Sequence, residues 1–360
     1  MRLHFRRATK IGANSLTIAS PMRLFLYRSP IAYRPEQMTT VLTHRQADKP
    51  RRIIVVIPAK DEAERIGEAL LALDAAAACT PIPVFALVLA NNCADDTADV
   101  AREAARQLRH CMLETVTVEL PDQLAHAGGA RRRAVAQGIR RYAATSDDII
   151  VSTDADARLR RDALWRIWNA ISQGDDLVLA KIECVTDPLD PVPEDALDWG
   201  RPGIIWRHCV RRFVETVLSG RVASSQLHDD YGGAGIAVRV DAYHRLGGFS
   251  PIACNEDLEF VRAADRRHMR VNRHSGVVVD VLARAQGRAR GGMADALRHC
   301  VAAARQQIPC RVEHHTATIR RILRNPSHAY AFATEITEWE CAADAISGLE
   351  DAIAAYGHRS

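Results

Sequence analysis

Ile53-Ile-Val-Val-Ile-Pro-Ala-Lys-Asp-Glu62 decides how the rest of the chain is read. Its first five residues are apolar, β-branched and without polar alternation, and Pro58 ends them. Such a run fits a strand buried on both faces. Outward from it the pattern repeats. Ala63 to Ala78 carries Ile66, Leu70 and Leu73 at helical spacing, broken by Pro81-Ile-Pro83. Val84–Leu89 reads as a second strand, Thr97–Leu108 as a helix and Val116–Leu120 as a third strand. Gly129–Tyr142 then reads as a helix and Asp148–Thr153 as a fourth strand. This β-α-β-α-β-α-β rhythm predicts an α/β fold: a mostly parallel, Rossmann-like sheet with helices on both faces.

In such sheets ligands bind beyond the carboxyl ends of the strands. Three of the expected ends carry polar clusters: Pro58-Ala-Lys-Asp-Glu62, Asn91-Asn-Cys-Ala-Asp-Asp96 and Asp154-Ala-Asp156. Their equivalent placement points to one shared site. Asp154 and Asp156 form a D-x-D pair, and Mg²⁺ or Mn²⁺ takes such hard oxygen ligands together with substrate phosphates. A turn or helix-cap role is the plain alternative. Glu256 and Asp257 are a second acidic pair, opening an expected helix from Leu258 to Arg267. They suit a general base as well as a helix cap. Tyr231-Gly-Gly-Ala-Gly235 permits close backbone approach to a ligand, or simply a tight turn. His126-Ala-Gly-Gly-Ala-Arg131-Arg132 places arginines at a helix start, suited to a diphosphate or to a solvated basic face.

Composition narrows the class. Of 360 residues 48% are hydrophobic and 26% charged, as in ordinary globular proteins. Residues 1–35 hold seven Lys/Arg and no acid. With those seven removed from 48, the remaining 41 basic groups face 44 acids, so the body is not a basic nucleic-acid binder. Nine cysteines stand singly, without C-x-x-C pairs, which argues for reduced thiols in a cytoplasmic protein. No run approaches the ~20 apolar residues of a membrane span. His314-His315 lacks ligand spacing and reads as a surface feature.

Taken in order, these motifs resemble glycosyltransferase family 2, inverting enzymes with a GT-A fold. The resemblance covers about residues 53–280, from the Pro58–Glu62 turn through Asn91–Thr97 and Ser152-Thr-Asp-Ala-Asp156 to Gly247-Gly-Phe249 and Glu256-Asp257. His126–Arg132 and Gly287–Leu297 are similar to soluble, non-processive members, and the Gln-x-x-Arg-Trp signature of membrane synthases is missing. The resemblance implies a nucleotide-diphosphate sugar donor, an acceptor hydroxyl of unknown identity, and Mg²⁺ or Mn²⁺ as cofactor. It implies that Asp154 and Asp156 hold metal and sugar diphosphate, and that Asp257, beside Glu256, is the base. Pro58, Glu62, Asn91 and Asp95 would border the nucleoside, and Arg131 or Arg132 would reach the diphosphate. Asn91 stands where the family usually has an Asp that reads uracil, so uridine is not specified.

Three segments are expected: a disordered basic tail over 1–50, a GT-A-like catalytic domain over 51–285, and a helical extension over 286–360. The extension, broken at Pro309 and Pro326, would cap the acceptor pocket or form a homodimer contact. Two rival functions remain at this point. A nucleotidyltransferase would normally place a Gly-rich basic loop where Pro58-Ala-Lys-Asp-Glu62 stands. A catalytically silent sugar-nucleotide-binding protein would not need Asp154, Asp156 and Asp257 together.

Overall fold

The apolar run at residue 53 becomes β1 (Ile53–Ala59), buried over nearly its whole length. It lies within a seven-stranded sheet of a computed structural model that describes residues 49–357 except 274, 285, 288–291 and 325–337. The expected basic tail, up to residue 48, falls outside the described residues. After β1 come α1 (Ile66–Ala77), β2 (Val84–Asn91), α2 (Thr97–Ala105), β3 (Cys111–Val118), α3 (Ala127–Arg141) and β4 (Ile149–Ser152). The third strand begins at Cys111 instead of Val116, because β3 pairs with β2 from Val84↔Cys111 to Asn91↔Val118.

There follow β5 (Ala157–Leu159), α4 (Ala163–Ser172), β6 (Leu177–Leu179), β7 (Lys181–Thr186) and α5 (Glu194–Ser219). A 3₁₀ turn at Gly233–Gly235 leads into β8 (Ile236–Arg239), α6 (Val240–Leu246), α7 (Glu256–Arg266), β9 (Val271–Asn272) and β10 (Val278–Ala283). The chain ends with α8 (Met293–Arg305), β11 (Arg311–Glu313), α9 (His315–Arg324), β12 (Trp339–Cys341) and α10 (Ala342–Gly357).

The sheet order is β3-β2-β1-β4-β8-β6-β9. Its pairings are parallel except those of β8, which runs antiparallel to both β4 and β6. This reversal brings the Gly233–Gly235 turn, which precedes β8, to the edge where β1, β2 and β4 end. A smaller sheet, β5-β10-β7, pairs β5 antiparallel to β10 through Val281↔Ala157. That register sets the exit of β10 beside Asp156.

Alternate residues of β1 face different layers. Ile53, Val55 and Ile57 pack with α1, α2 and α4. Ile54 and Val56 pack with α3, α6 and α7. Full burial of each such side chain contributes about 1.5–3 kcal/mol relative to exposure. The C-terminal segment was expected to be mostly helical; its described residues include α8, α9 and α10 and also the two-stranded pair β11–β12, joined at Arg311↔Cys341. Its α9 and α10 share a core with Trp206, Phe213 and Val214 of α5. Pro309 lies in the loop between α8 and β11, whereas Pro326 is outside the described residues. All nine cysteines are unpaired. Among the described residues no helix is long and apolar enough to cross a membrane.

Candidate active site

The ends of β1 and β2 are tied together by side chains acting on backbone. Thr97 Oγ accepts from the Glu62 N–H at 2.7 Å, and Asp95 Oδ2 accepts from the Ala63 N–H at 3.0 Å. Asp95 also accepts from the Thr97 hydroxyl and, at 3.0 Å, from its N–H. Asp61, with φ 49°, accepts from the Ala94 N–H at 2.6 Å. Pro58, Glu62, Asn91 and Asp95 are therefore neighbours on one rim, with Glu62 and Asn91 buried.

Beyond β4 the chain enters Asp154-Ala-Asp156. Arg131, from the second turn of α3, reaches it and is 5% exposed. Its guanidinium donates to Ser152 Oγ (2.6 Å), Gly233 O (2.8 Å), Asp154 Oδ1 (2.8 Å) and Glu256 Oε1 (2.9 Å). Burial opposes its charge, but Asp154 and Glu256 hold it protonated, with its pKa above the usual arginine range. Arg132 goes elsewhere: one residue along the helix turns its side chain to Gly247 O and Phe249 O, at 3.0 and 2.7 Å. Arg132 thus holds the Gly247–Phe249 loop, and Arg131 is the arginine joined to the D-x-D.

Asp156 is almost wholly buried, at 7% exposure. It is paired with Arg284, the first residue beyond β10, which also donates to both Glu62 oxygens at 3.1 and 3.2 Å. Burial raises the Asp156 pKa to about 6, against the lowering effect of Arg284, while Asp154 and Glu62 push it further up. Sequence reasoning missed Arg284. A lone arginine after an apolar strand carries no local signal, and its partners lie 222 and 128 positions away.

Glu256 and Asp257 divide at the start of α7. Glu256 turns inward, is 4% exposed, and pairs with Arg131. Asp257 accepts from the Gly233 N–H and the Leu258 N–H, each at 2.8 Å. Gly233 is thus a joint: its N–H binds Asp257 and its carbonyl binds Arg131, which binds Asp154. A Cβ there would lie 2.1 Å from Arg131 Nη2, so any larger residue would displace the guanidinium from its partners.

Asp154, Asp156 and Glu62 carry oxygens of the kind Mg²⁺ and Mn²⁺ use with substrate phosphates, and each is held by an arginine, Asp154 by Arg131 and the other two by Arg284. That two of them already gather a cation, the Arg284 guanidinium, shows that the place favours positive charge. Carboxylate oxygens suit a divalent ion in their chemistry, and an ion there would take the place of Arg284 at Asp156 and Glu62. Beside Arg284 opens a cleft of about 540 Å³ bordered by Glu64, Arg65, Leu189 and Asp190.

Over residues 50–290 the chain matches the family described as Glycosyltransferase like family 2. Solved structures with similarity include S. aureus TarS 1-349 in complex with UDP, at 15% identity and TM-score 0.45, covering 78% of this chain and 72% of that one. Another is the mannosyltransferase PcManGT from Pyrobaculum calidifontis in complex with GDP-Man and Mn²⁺, at 19% identity and TM-score 0.46, covering 88% and 77%. A third is glucosyl-3-phosphoglycerate synthase of M. tuberculosis, at 18% identity and TM-score 0.39, covering 72% and 82%. No curated protein matches the chain.

Proposed function

The chain belongs to the glycosyltransferase-like family 2, and from that premise we propose that it moves a sugar from a nucleotide-diphosphate donor to an acceptor hydroxyl with inversion, using a divalent ion. The observation that carries this reading is the Gly233 joint, which fixes Asp257 and, through Arg131, Asp154 relative to each other. Asp257, read here as the base, and Asp154, read as the carboxylate on the diphosphate side, are tied to the same turn.

Asp154 and Asp156 would hold Mg²⁺ or Mn²⁺, which when bound offsets the charge growing on the departing diphosphate. Pro58, Glu62, Asn91 and Asp95 border the nucleoside. Asp257 takes the acceptor proton as that oxygen bonds to the anomeric carbon. The bond from that carbon to the diphosphate oxygen breaks at the same time, and its electron pair leaves with the nucleoside diphosphate. One displacement inverts the centre. Glu256 has no such role in this reading, because its carboxylate is committed to Arg131; it positions that arginine. Arg284 offers a guanidinium fork suited to diphosphate oxygens. In this reading residues 51–285 are the catalytic domain, and residues 286–360, whose α9 and α10 share a core with α5, serve as an acceptor cap or a dimer contact.

The test is a screen of uridine, guanosine, adenosine and thymidine diphosphate sugars with candidate acceptors, following nucleoside diphosphate release and product anomer by NMR. An inverted product formed only with divalent ion supports the reading; a retained anomer contradicts it. A second reading is favoured by the place of Arg284 itself: the guanidinium serves as the permanent cation and no ion is needed. Undiminished turnover in EDTA would select that second reading.

A further inference from the structure

From residues outside the family match, we propose a second metal site, of transition-metal type, formed by His314, His315 and Glu340 in the C-terminal extension. The sequence separates these groups by 25 positions, and only the β11–β12 pairing, with Val312 opposite Glu340, unites them. His315 Nδ1 lies 2.9 Å from Glu340 Oε1, and His314 Nε2 lies 3.5 Å from Glu340 Oε2. The three ligand atoms all fall within 4.8 Å of one another. An ion with bonds of about 2.1 Å in tetrahedral geometry needs ligand atoms roughly 3.4 Å apart, so small movements complete the site.

Two further observations point the same way. Thr316 fixes the orientation of the His314 ring through the nitrogen left over, its backbone N–H pointing at Nδ1 at 3.3 Å and its Oγ lying 2.9 Å away. Gly348, inside α10, has no left-handed backbone to explain it, yet a Cβ there would stand 2.4 Å from the His315 ring. An interior helix glycine is unfavourable relative to alanine, and here it makes room for that imidazole. The two rings stack at 4.6 Å over one carboxylate. Side-chain exposures of 34%, 28% and 12% leave access for the ion and for a water as fourth ligand.

Imidazole with one carboxylate suits Zn²⁺, Ni²⁺ or Cu²⁺ better than Mg²⁺. This distinguishes the site from the all-oxygen set at Asp154 and Asp156. A bound ion would staple the β11–α9 junction to β12. Glu340 also accepts from the His315 N–H at the start of α9, and that capping role persists with or without an ion.

The experiment uses the full chain, stripped of metal and held in excess Mg²⁺, titrated with Co²⁺ and then Zn²⁺. One Co²⁺ should bind with weak d–d absorption and no thiolate charge-transfer band, and Zn²⁺ should displace it. Loss of an outer partner typically weakens metal binding about 10–100-fold, so loss of a ligand in His314→Ala or Glu340→Gln should weaken it by at least about 100-fold. Gly348→Ala should also weaken it, although all three ligands remain, while Asp156→Asn should leave it unchanged. Unchanged affinity in folded His314→Ala, a thiolate band placing the ion on cysteine, or no stoichiometric binding by the wild type would each overturn the proposal.

Discussion

Removing Glu256 would leave Arg131 buried with Asp154 as its remaining carboxylate, and Asp154 is itself about one-third exposed. Breaking a buried pair from one side costs roughly 3–5 kcal/mol, so Glu256→Ala should lower unfolding free energy by about 3 kcal/mol or more in urea titration. Asp257→Asn should behave differently. It loses at most about 2 kcal/mol as a helix-start acceptor, keeps nucleotide binding, and loses ~10²–10⁴-fold in turnover. Folded Asp257→Asn with wild-type turnover would remove the base. Arg284→Gln should melt lower than wild type in EDTA, since Glu62 and Asp156 lose their cation. Mn²⁺ should then restore more stability to this variant than to wild type; an equal shift in both would separate Arg284 from the ion's place. Asp154, Asp156 and Asp257 were legible as candidates because they follow apolar runs or open a helix. Arg284 was not, because only the antiparallel pairing of β5 and β10 brings it to Asp156.

The turn at Gly233–Gly235 joins the sheet to the site and tolerates little change. Gly233→Ala should lose both stability and turnover, because its Cβ would collide with Arg131, and Gly235→Ala would press within 2.6 Å of Ala180 Cβ. Gly67 in α1 is the control, with nothing within 4 Å of an added Cβ. There alanine should stabilise by about 0.5–1 kcal/mol. Thermal melts of the three variants decide this; a Gly233→Ala protein as stable and active as wild type would contradict the joint. Long apolar strands such as β1 and β2 were readable from the sequence. The three-residue β5 was not, since so short a run has no period. The 26-residue α5 was also hidden, because Pro202 interrupts its pattern. Acids at its start and left-handed Gly220 at its end are the helix signals it does carry.

Across the molecule, α5 ties the family-matched region to the extension, and acid should loosen it. His228 is 1% exposed, with Nε2 3.2 Å from Leu179 O and Nδ1 buried without a partner among the described residues. Burial, with His208 adding to it, lowers its pKa to about 4 from 6.5. The unfolded chain therefore binds this proton first, and stability falls as pH drops from about 6.5 to about 4. The slope is roughly 1.4 kcal/mol per pH unit for one such group. His228→Gln should flatten that part of the profile, and an unchanged slope would count against a neutral buried imidazole. The parallel sheet was legible at this scale because buried parallel strands are apolar throughout. The sharing of a core between α5 and α10 was not, because it depends on contacts between segments more than a hundred residues apart.

The account rests most directly on calorimetric titration of the full chain with UDP and GDP, in Mn²⁺ and in EDTA, for wild type and Asp156→Asn. At least one nucleoside diphosphate should bind wild type in Mn²⁺ and lose at least tenfold, about 1.4 kcal/mol, both in EDTA and on Asp156→Asn. Affinity unchanged by EDTA and by Asp156→Asn, or no binding of either nucleotide, would contradict a metal-assisted donor site at the end of β4.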